Sequence, residues 1–269
     1  MTTSDTVTFI GTATVLIRLG PFTLLTDPNF LHKGQWTFIG QGLVSRRRTE
    51  PAAQPADLPH LDAVVLSHLH GDHFDRIAGR ELPRDVPILT TPHAARRLDR
   101  RGFRQSVALS TWASRTLTDG DATLTVTAVP ARHGPGFMAA VLPTVMGSII
   151  EYRAGSGSRP TRIYLSGDTI IHDELAQIRE RFPDIDLAVV HLGGTRILGV
   201  LVTLDGSGGV DLLELLRPAN VLPVHYDDYG LFTDPLSNFI AETRQRKSPA
   251  GLHILHRGDT LELASLLHG

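Results

Sequence analysis

Ser67-His68-Leu69-His70-Gly71-Asp72-His73 puts three imidazoles and one carboxylate within six residues. It continues directly from Asp62–Ser67, whose run Ala63-Val64-Val65-Leu66 is apolar without interruption. Such a run suits a strand buried on both faces. Imidazole and carboxylate are donors that suit zinc, and equally manganese or iron. In a loop at a strand end, alternate residues turn towards one cavity and their neighbours away from it. His68 and His70 are therefore expected to converge on one ion, and Asp72 and His73 to reach a second. The competing reading is a solvated polar loop. A strand this apolar rarely ends in four clustered donors by chance, so the metal reading is adopted.

Upstream, Val7–Gly11, Thr14–Leu19 and Phe22–Thr26 are short β-branched and apolar runs, with a turn signal at Gly20-Pro21. Pro28 to His60 shows no clean period and reads as a long surface excursion, a length uncommon unless functional or disordered. Downstream, Val86–Thr90 reads as a strand and Pro92–Arg101 as a helix with Pro near its start. Thr111–Leu117 and Ala122–Val129 form a hairpin around Asp119-Gly120. Gly147–Arg153 and Arg162–Leu165 form another pair. The last third alternates: helix Asp173–Phe182, strand Asp186–Val190, helix Ser207–Leu216, strand Val221–Val224, helix Pro235–Arg246, then two short strands. Strands first and strand–helix alternation later suggest sheets inside and helices outside. No linker, repeat or low-complexity tract divides the chain. One α/β domain over residues 1–269 is expected, with an insert loop at about 28–60.

Bulk properties narrow the function classes. Net charge is −2, which leaves no general basic field for nucleic acid. No apolar run is long enough to span a bilayer, and Met1 to Asp5 lacks the features of a signal peptide. A cytoplasmic protein without stable membrane insertion is expected. There is no cysteine, so thiolate metal sites, disulfides and cysteine nucleophiles are excluded.

The quoted segment matches the His-x-His-x-Asp-His signature of the metallo-β-lactamase superfamily, and the chain resembles that family over most of its length. His133 in Ala131-Arg132-His133-Gly134 looks like the third ligand of the first metal. Asp168 in Ser166-Gly167-Asp168-Thr169 looks like the bridging carboxylate. His225 in Pro223-Val224-His225-Tyr226 looks like the last ligand of the second metal. Each follows a predicted strand. The implied fold is a four-layer αβ/βα sandwich with the site at the sheet edges. The implied cofactor is a pair of divalent ions, zinc first, with Mn or Fe as alternatives. The insert after Asp27-Pro28 and the ending Val224-His225-Tyr226-Asp227-Asp228-Tyr229 are similar to the branch containing ascorbate-6-phosphate lactonases and N-acyl-phosphatidylethanolamine phospholipases D.

The resemblance implies hydrolysis of a phosphodiester, lactone or related ester by a metal-bridging hydroxide. Asp72 is read as both a ligand and the group that orients this nucleophile. His191, at the end of the strand Asp186–Val190, is a candidate proton donor to the leaving group; the alternative is a strand-end histidine bonded to backbone. Asp27 either orients a metal-bound histidine or is a turn aspartate before Pro28. Arg46-Arg47-Arg48 is either a solvated face or the anchor of a phosphate or carboxylate. Trp36, Phe38, Phe137 and Met138 line a pocket or belong to the core. His32, His60, His93, His172, His253, His256 and His268 match no motif position. The expected partner is a small, anionic substrate and not nucleic acid. The competing class is an iron-dependent oxidoreductase on the same fold, resembling persulfide dioxygenases. The complete two-metal ligand set argues against it. The want of a signal peptide argues against antibiotic hydrolysis, and the want of a basic arm against RNA processing.

Overall fold

The β-branched runs at the start of the chain form an antiparallel meander of β1 (Thr6–Gly11), β2 (Thr14–Leu19) and β3 (Phe22–Thr26). The structure is a computed structural model describing residues 5–40, 42–136 and 142–267. After β3 the chain leaves the sheet for a hairpin of β4 (Trp36–Gly40) and β5 (Leu43–Arg46). It returns as β6 (Ala63–Leu66), parallel to β3. Helix α1 (Arg76–Glu81) leads to β7 (Ile88–Thr90), and α2 (Pro92–Arg100) to β8 (Ser106–Ala108), both parallel additions.

The second sheet repeats this plan. Strands β9 (Ser114–Asp119), β10 (Ala122–Val129), β11 (Gly147–Arg153) and β12 (Thr161–Leu165) are antiparallel. Helix α3 (Ala176–Arg181) leads to β13 (Leu187–His191), which lies parallel to β12. A small hairpin, β14 (Arg196–Ile197) and β15 (Val200–Leu201), and helix α4 (Gly206–Leu216) precede β16 (Asn220–Val224). Helix α5 (Leu236–Gln245) leads to β17 (Gly251–Leu252). The last strand, β18 (Thr260–Glu262), crosses back to pair with β1 before the short helix α6 (Ala264–Leu267). Each sheet has seven strands.

The period-2 alternation of strands explains the layering. Val15, Ile17 and Leu24 face Leu124, Ile150, Ile163 and Leu187 across the space between the sheets. The alternate residues Val64, Leu66 and Ile88 face outward, where α1 and α2 cover them with Ile77, Ala78 and Leu98. Tyr164, Ala188 and Val221 face outward on the other sheet, under Ile178, Val210, Leu213 and Phe239 of α3, α4 and α5. The result is the four-layer αβ/βα sandwich of the metallo-β-lactamase fold. Among the described residues, no helix is long and apolar enough to cross a membrane.

Segment 28–60 differs from the expected surface excursion. Phe30 and Leu31 are fully buried in the outer cluster under α1, and Arg47 is buried as well. The β4–β5 hairpin has an inverted face pattern. Thr37 and Ser45 turn inward, while Trp36, Phe38 and Val44 are more than half exposed. Apolar residues pointing outward erase the usual strand signal, so no period was legible there. Phe137 and Met138 lie outside the described residues, as does His268.

Candidate metal centre

Six strand ends meet at one edge of the sandwich. β3 leads to Asp27, β6 runs into His68–His73, β10 leads to His133, β12 to Asp168, β13 ends in His191 and β16 leads to His225. Carboxyl ends of strands are where open α/β sheets place their ligands. His68, His70 and His133 form one group of donor atoms, and Asp72, His73, Asp168 and His225 a second, with all members buried. All seven expected donors are thus brought together.

Close approach at this edge depends on particular backbone. Gly167 has φ +59°, and a Cβ there would lie 2.7 Å from the carbonyl of Met146 and 3.1 Å from Ser67 Cβ. Glycine therefore lets the Asp168 loop lie against the histidine loop. His225 holds φ +64°, a conformation unfavourable for a residue with a side chain, and its N–H is tied to the Thr12 carbonyl (2.8 Å). Strain of this kind collects at functional sites.

Most of the donor rings are fixed through one nitrogen, which leaves the other to face the centre. His68 Nδ1 meets Ser67 Oγ (3.0 Å) and His133 Nδ1 the Val202 carbonyl (2.7 Å). His73 Nδ1 meets Asp27 Oδ2 (3.1 Å) and His225 Nδ1 the Leu192 carbonyl (3.2 Å). His68 Nε2 and His70 Nδ1 then lie 2.9 Å apart. His73 Nε2 is 3.3 Å and His133 Nε2 3.9 Å from Asp168 Oδ2. His225 Nε2 is 3.5 Å from Asp72 Oδ2 and 3.8 Å from Asp168 Oδ1. Asp168 thus approaches members of both groups. Supporting partners that set ring orientation in this way are a general property of metal sites.

Four buried atoms here have no hydrogen-bond partner among the described residues: Asp72 Oδ1, His73 Nε2, Asp168 Oδ1 and His225 Nε2. Leaving a buried polar group unpaired costs about 1–3 kcal/mol, more for a charged one. Four convergent orphans in one spot fit a site built for cations. The donor chemistry also fits, being all nitrogen and oxygen.

The two groups differ in charge. Burial and the neighbouring imidazoles hold His68 well below the usual histidine range. Burial pushes His70 down to about 4 and lowers His133 too. These three rings are neutral at pH 7. In the second group, burial also disfavours the charged rings, but the carboxylates outweigh it. His73 is raised well above the ordinary value by Asp168, Asp27 and Asp72, and His225 is raised by Asp168 and Asp72. Burial opposes ionisation of Asp168 and Asp72, yet their histidine partners lower both.

Behind the donors lies a supporting layer. Asp27 accepts from the Ser67 N–H (2.7 Å), His73 Nδ1 and His191 Nε2 (3.2 Å), and Ser67 Oγ lies 2.9 Å from it. Burial works against this carboxylate, but its histidine partners take it down to about 2. Asp27, His73 and His191 could also be grouped as metal donors. The carboxylate is already satisfied by these donors, so the group reads as support. Of the two readings of Asp27, the orienting one describes its contacts.

His191 does not stand where a proton donor should. Its Nε2 is bonded to Asp27, its Nδ1 lies 3.1 Å from Ser166 Oγ, and it is buried. The ring stacks behind His73, 5.9 Å between centroids. Both nitrogens are occupied, and neither the cavity nor the cleft described below is lined by it. A strand-end histidine bonded to backbone is not what the structure shows either: both ring nitrogens meet side chains, Ser166 and Asp27.

Within Arg46-Arg47-Arg48 the middle residue is turned inward, away from any substrate, while Arg46 and Arg48 are exposed. Arg47 is buried, paired with Asp228 (3.2 Å) and donates to the Asn29 carbonyl (3.1 Å) and side-chain oxygen. Arg46 donates to the Gly34 carbonyl (2.8 Å). The run joins the insert to the loop after β16 through partners far away in sequence.

A small cavity over the donors is lined by His70, Asp72, His133 and Asp168 together with Ile39, Leu43, Ile197, Val202 and Phe232. Thr195 also lines it, with a buried hydroxyl that has no partner among the described residues. Nothing in the sequence singled out Thr195, nor Ser67 and Ser166, whose only signal was adjacency to the motifs. His70 also borders a wider cleft of about 870 Å3 between β4, α1 and α2.

The sequence model of the β-lactamase superfamily domain matches residues 23–226. A metal-dependent hydrolase of Deinococcus radiodurans is 29% identical over 75% of this chain and 80% of its own. The N-acyl-phosphatidylethanolamine-hydrolyzing phospholipase D 1 of Caenorhabditis elegans is 26% identical over 84% of this chain and 65% of its own. Among solved structures, an isothiocyanate hydrolase from Delia radicum gut bacteria superposes with a TM-score of 0.79 at 21% identity, covering 95% of this chain and 98% of that one. At that identity the likeness speaks for the fold. The chain belongs to the metallo-β-lactamase superfamily, as one of its metal-dependent hydrolases.

Proposed function

We propose that the chain hydrolyses a phosphodiester, lactone or related ester on a small anionic molecule, using two divalent ions, zinc first. The observation that carries this reading is the division of seven buried donors into two groups that Asp168 approaches together. His68, His70 and His133 would hold one ion; Asp72, His73 and His225 the other; Asp168 both. Divalent ions there would supply a water whose pKa falls to about 7 and a Lewis acid for the substrate's carbonyl or phosphoryl oxygen.

The chain's own residues do the rest. Asp72 Oδ1, like Asp168 Oδ1, is an acceptor beside the cavity with no partner among the described residues. It orients the attacking water, takes its proton and can return that proton to the leaving oxygen, a task His191 is not placed to perform. Ile39, Leu43, Ile197, Val202 and Phe232 keep bulk water from the donors. Asp27 keeps His73 in one tautomer, with Nε2 directed at the centre.

Elemental analysis of protein purified without added metal tests this, paired with a panel of phosphodiesters, lactones and isothiocyanates. Two equivalents of zinc or manganese with ester cleavage is the expected result. Iron with dioxygen consumption would overturn it in favour of the oxidoreductase class.

A further inference from the structure

Helix α2 carries Arg96, Arg97 and Arg100 in nine residues, and Arg101 follows as its cap. None of these four side chains has a carboxylate partner among the described residues; Asp99 is paired with Arg104 (3.2 Å). Like charges four apart on a helix repel, so the arrangement is costly unless something compensates it. Attraction to the negative end of the helix offsets part of that cost. It does not explain where the side chains lie. Arg97 and Arg101 line the wider cleft that His70 borders, and a second, shallower hollow joins them to Arg96, Arg100 and His93.

Other charges in the cleft leave this field uncancelled. Arg76 donates to the Trp36 carbonyl (2.7 Å) and ties β4 to the cleft wall. Asp75, the one carboxylate in the lining, accepts four backbone N–H groups, from Phe30, Leu31, Ile77 and Ala78 (2.6–2.8 Å). It is buried and already satisfied. Partial desolvation in the cleft and the neighbouring Arg97 disfavour Arg101 as a cation, as expected for guanidiniums lacking an anion. Trp36 and Phe38, each 59% exposed, supply an apolar wall on the β4 side.

We propose that this cleft is the substrate's anion subsite: Arg97 and Arg101 hold a phosphate group while Trp36 and Phe38 cover the adjoining apolar part. The bond to be cleaved then lies on the His70 side. Substrate class follows: a phosphate-bearing ester with an apolar body, the phosphate being separate from the scissile bond. This assignment rests on the hydrolase reading for its meaning, but binding can be tested without catalysis.

The test uses 1-naphthyl phosphate as probe, with 1-naphthol as its uncharged counterpart, titrated by calorimetry into metal-loaded and chelator-treated protein. R97A/R101A should weaken phosphate binding by roughly ten- to a hundredfold, equivalent to about 1.4–2.8 kcal/mol. Binding of 1-naphthol should be unchanged, and phosphate binding should survive removal of metal. Both positions are exposed, so the variant keeps the packed core, and R97K/R101K serves as a second variant that should retain part of the affinity. Equal affinity in R97A/R101A, or binding that vanishes only with the metal, would overturn the subsite, as would no binding by the unmodified protein. Intact phosphate binding without cleavage of any ester would instead sink the hydrolase reading and leave the subsite standing.

Discussion

The two donor groups lie side by side yet are built on opposite electrostatic plans. His68, His70 and His133 are neutral rings, pushed down mainly by burial. His73 and His225 face two ionised carboxylates and are raised instead. The first group offers lone pairs at neutral pH. The second must exchange protons for a cation, since ligands bind metal deprotonated. The lesson is that one short motif can feed two unlike sites. Residues His68 and His70 enter one environment, and Asp72 and His73, two positions later, enter the other.

The contrast is tested most severely at Asp168, which approaches both groups. Asp168→Ala should lower metal content from two ions per chain and cut kcat/KM by about a thousandfold, as loss of several kcal/mol of transition-state stabilisation implies. Full occupancy with normal turnover would show that the groups do not share this carboxylate.

A smaller, one-sided effect is expected behind the second group. Asp27→Asn removes the carboxylate that orients His73 and should cost about 10–100-fold in metal affinity, confined to one of two binding steps in a zinc titration. Equal weakening of both steps would erase the distinction between the groups.

Proton exchange supplies a third check. A histidine raised in the fold adds stability below its unfolded pKa, and that stability is lost as pH rises through the folded value. His73 and His225 should therefore make the metal-free protein less stable as pH climbs above 6.5, while metal affinity of this group rises about tenfold per pH unit for each proton displaced. Zinc uptake at pH 7 should release protons into a weakly buffered solution from the second step and not from the first. Release from neither step would mean that His73 and His225 are already neutral.

The smallest effect belongs to His191. His191→Ala leaves Asp27 short of one donor and should reduce stability by about 1–3 kcal/mol, seen as a lower Tm. The pH–rate profile should keep its shape. Loss of its basic limb would return His191 to the role of proton donor.

Much of this site could be read from the linear chain. Four donors stand within six residues after an unbroken apolar strand, so local pattern alone carried them. His133, Asp168 and His225 needed the family resemblance, since a lone histidine or aspartate after a strand is a weak signal. Asp27 could not be assigned one role, because its partners His73 and His191 lie far along the chain. Arg47 was misread for the same reason: Asp228, which neutralises it, is 181 positions away. The arginines of α2 form no motif in the linear chain. Nothing in the sequence says that Arg97 and Arg101 share a cleft with His70.

The strands, the helices and the four donors of the His68–His73 segment were thus written in short-range pattern, because hydrophobic period and ligand type are properties of neighbouring residues. Which charges are neutralised, which histidine faces the centre and which stands behind it, and where an anion can rest were settled only when the two sheets came together. Those properties depend on what a side chain meets across space, and a charge has no fixed meaning until its counter-charge and its distance from water are known.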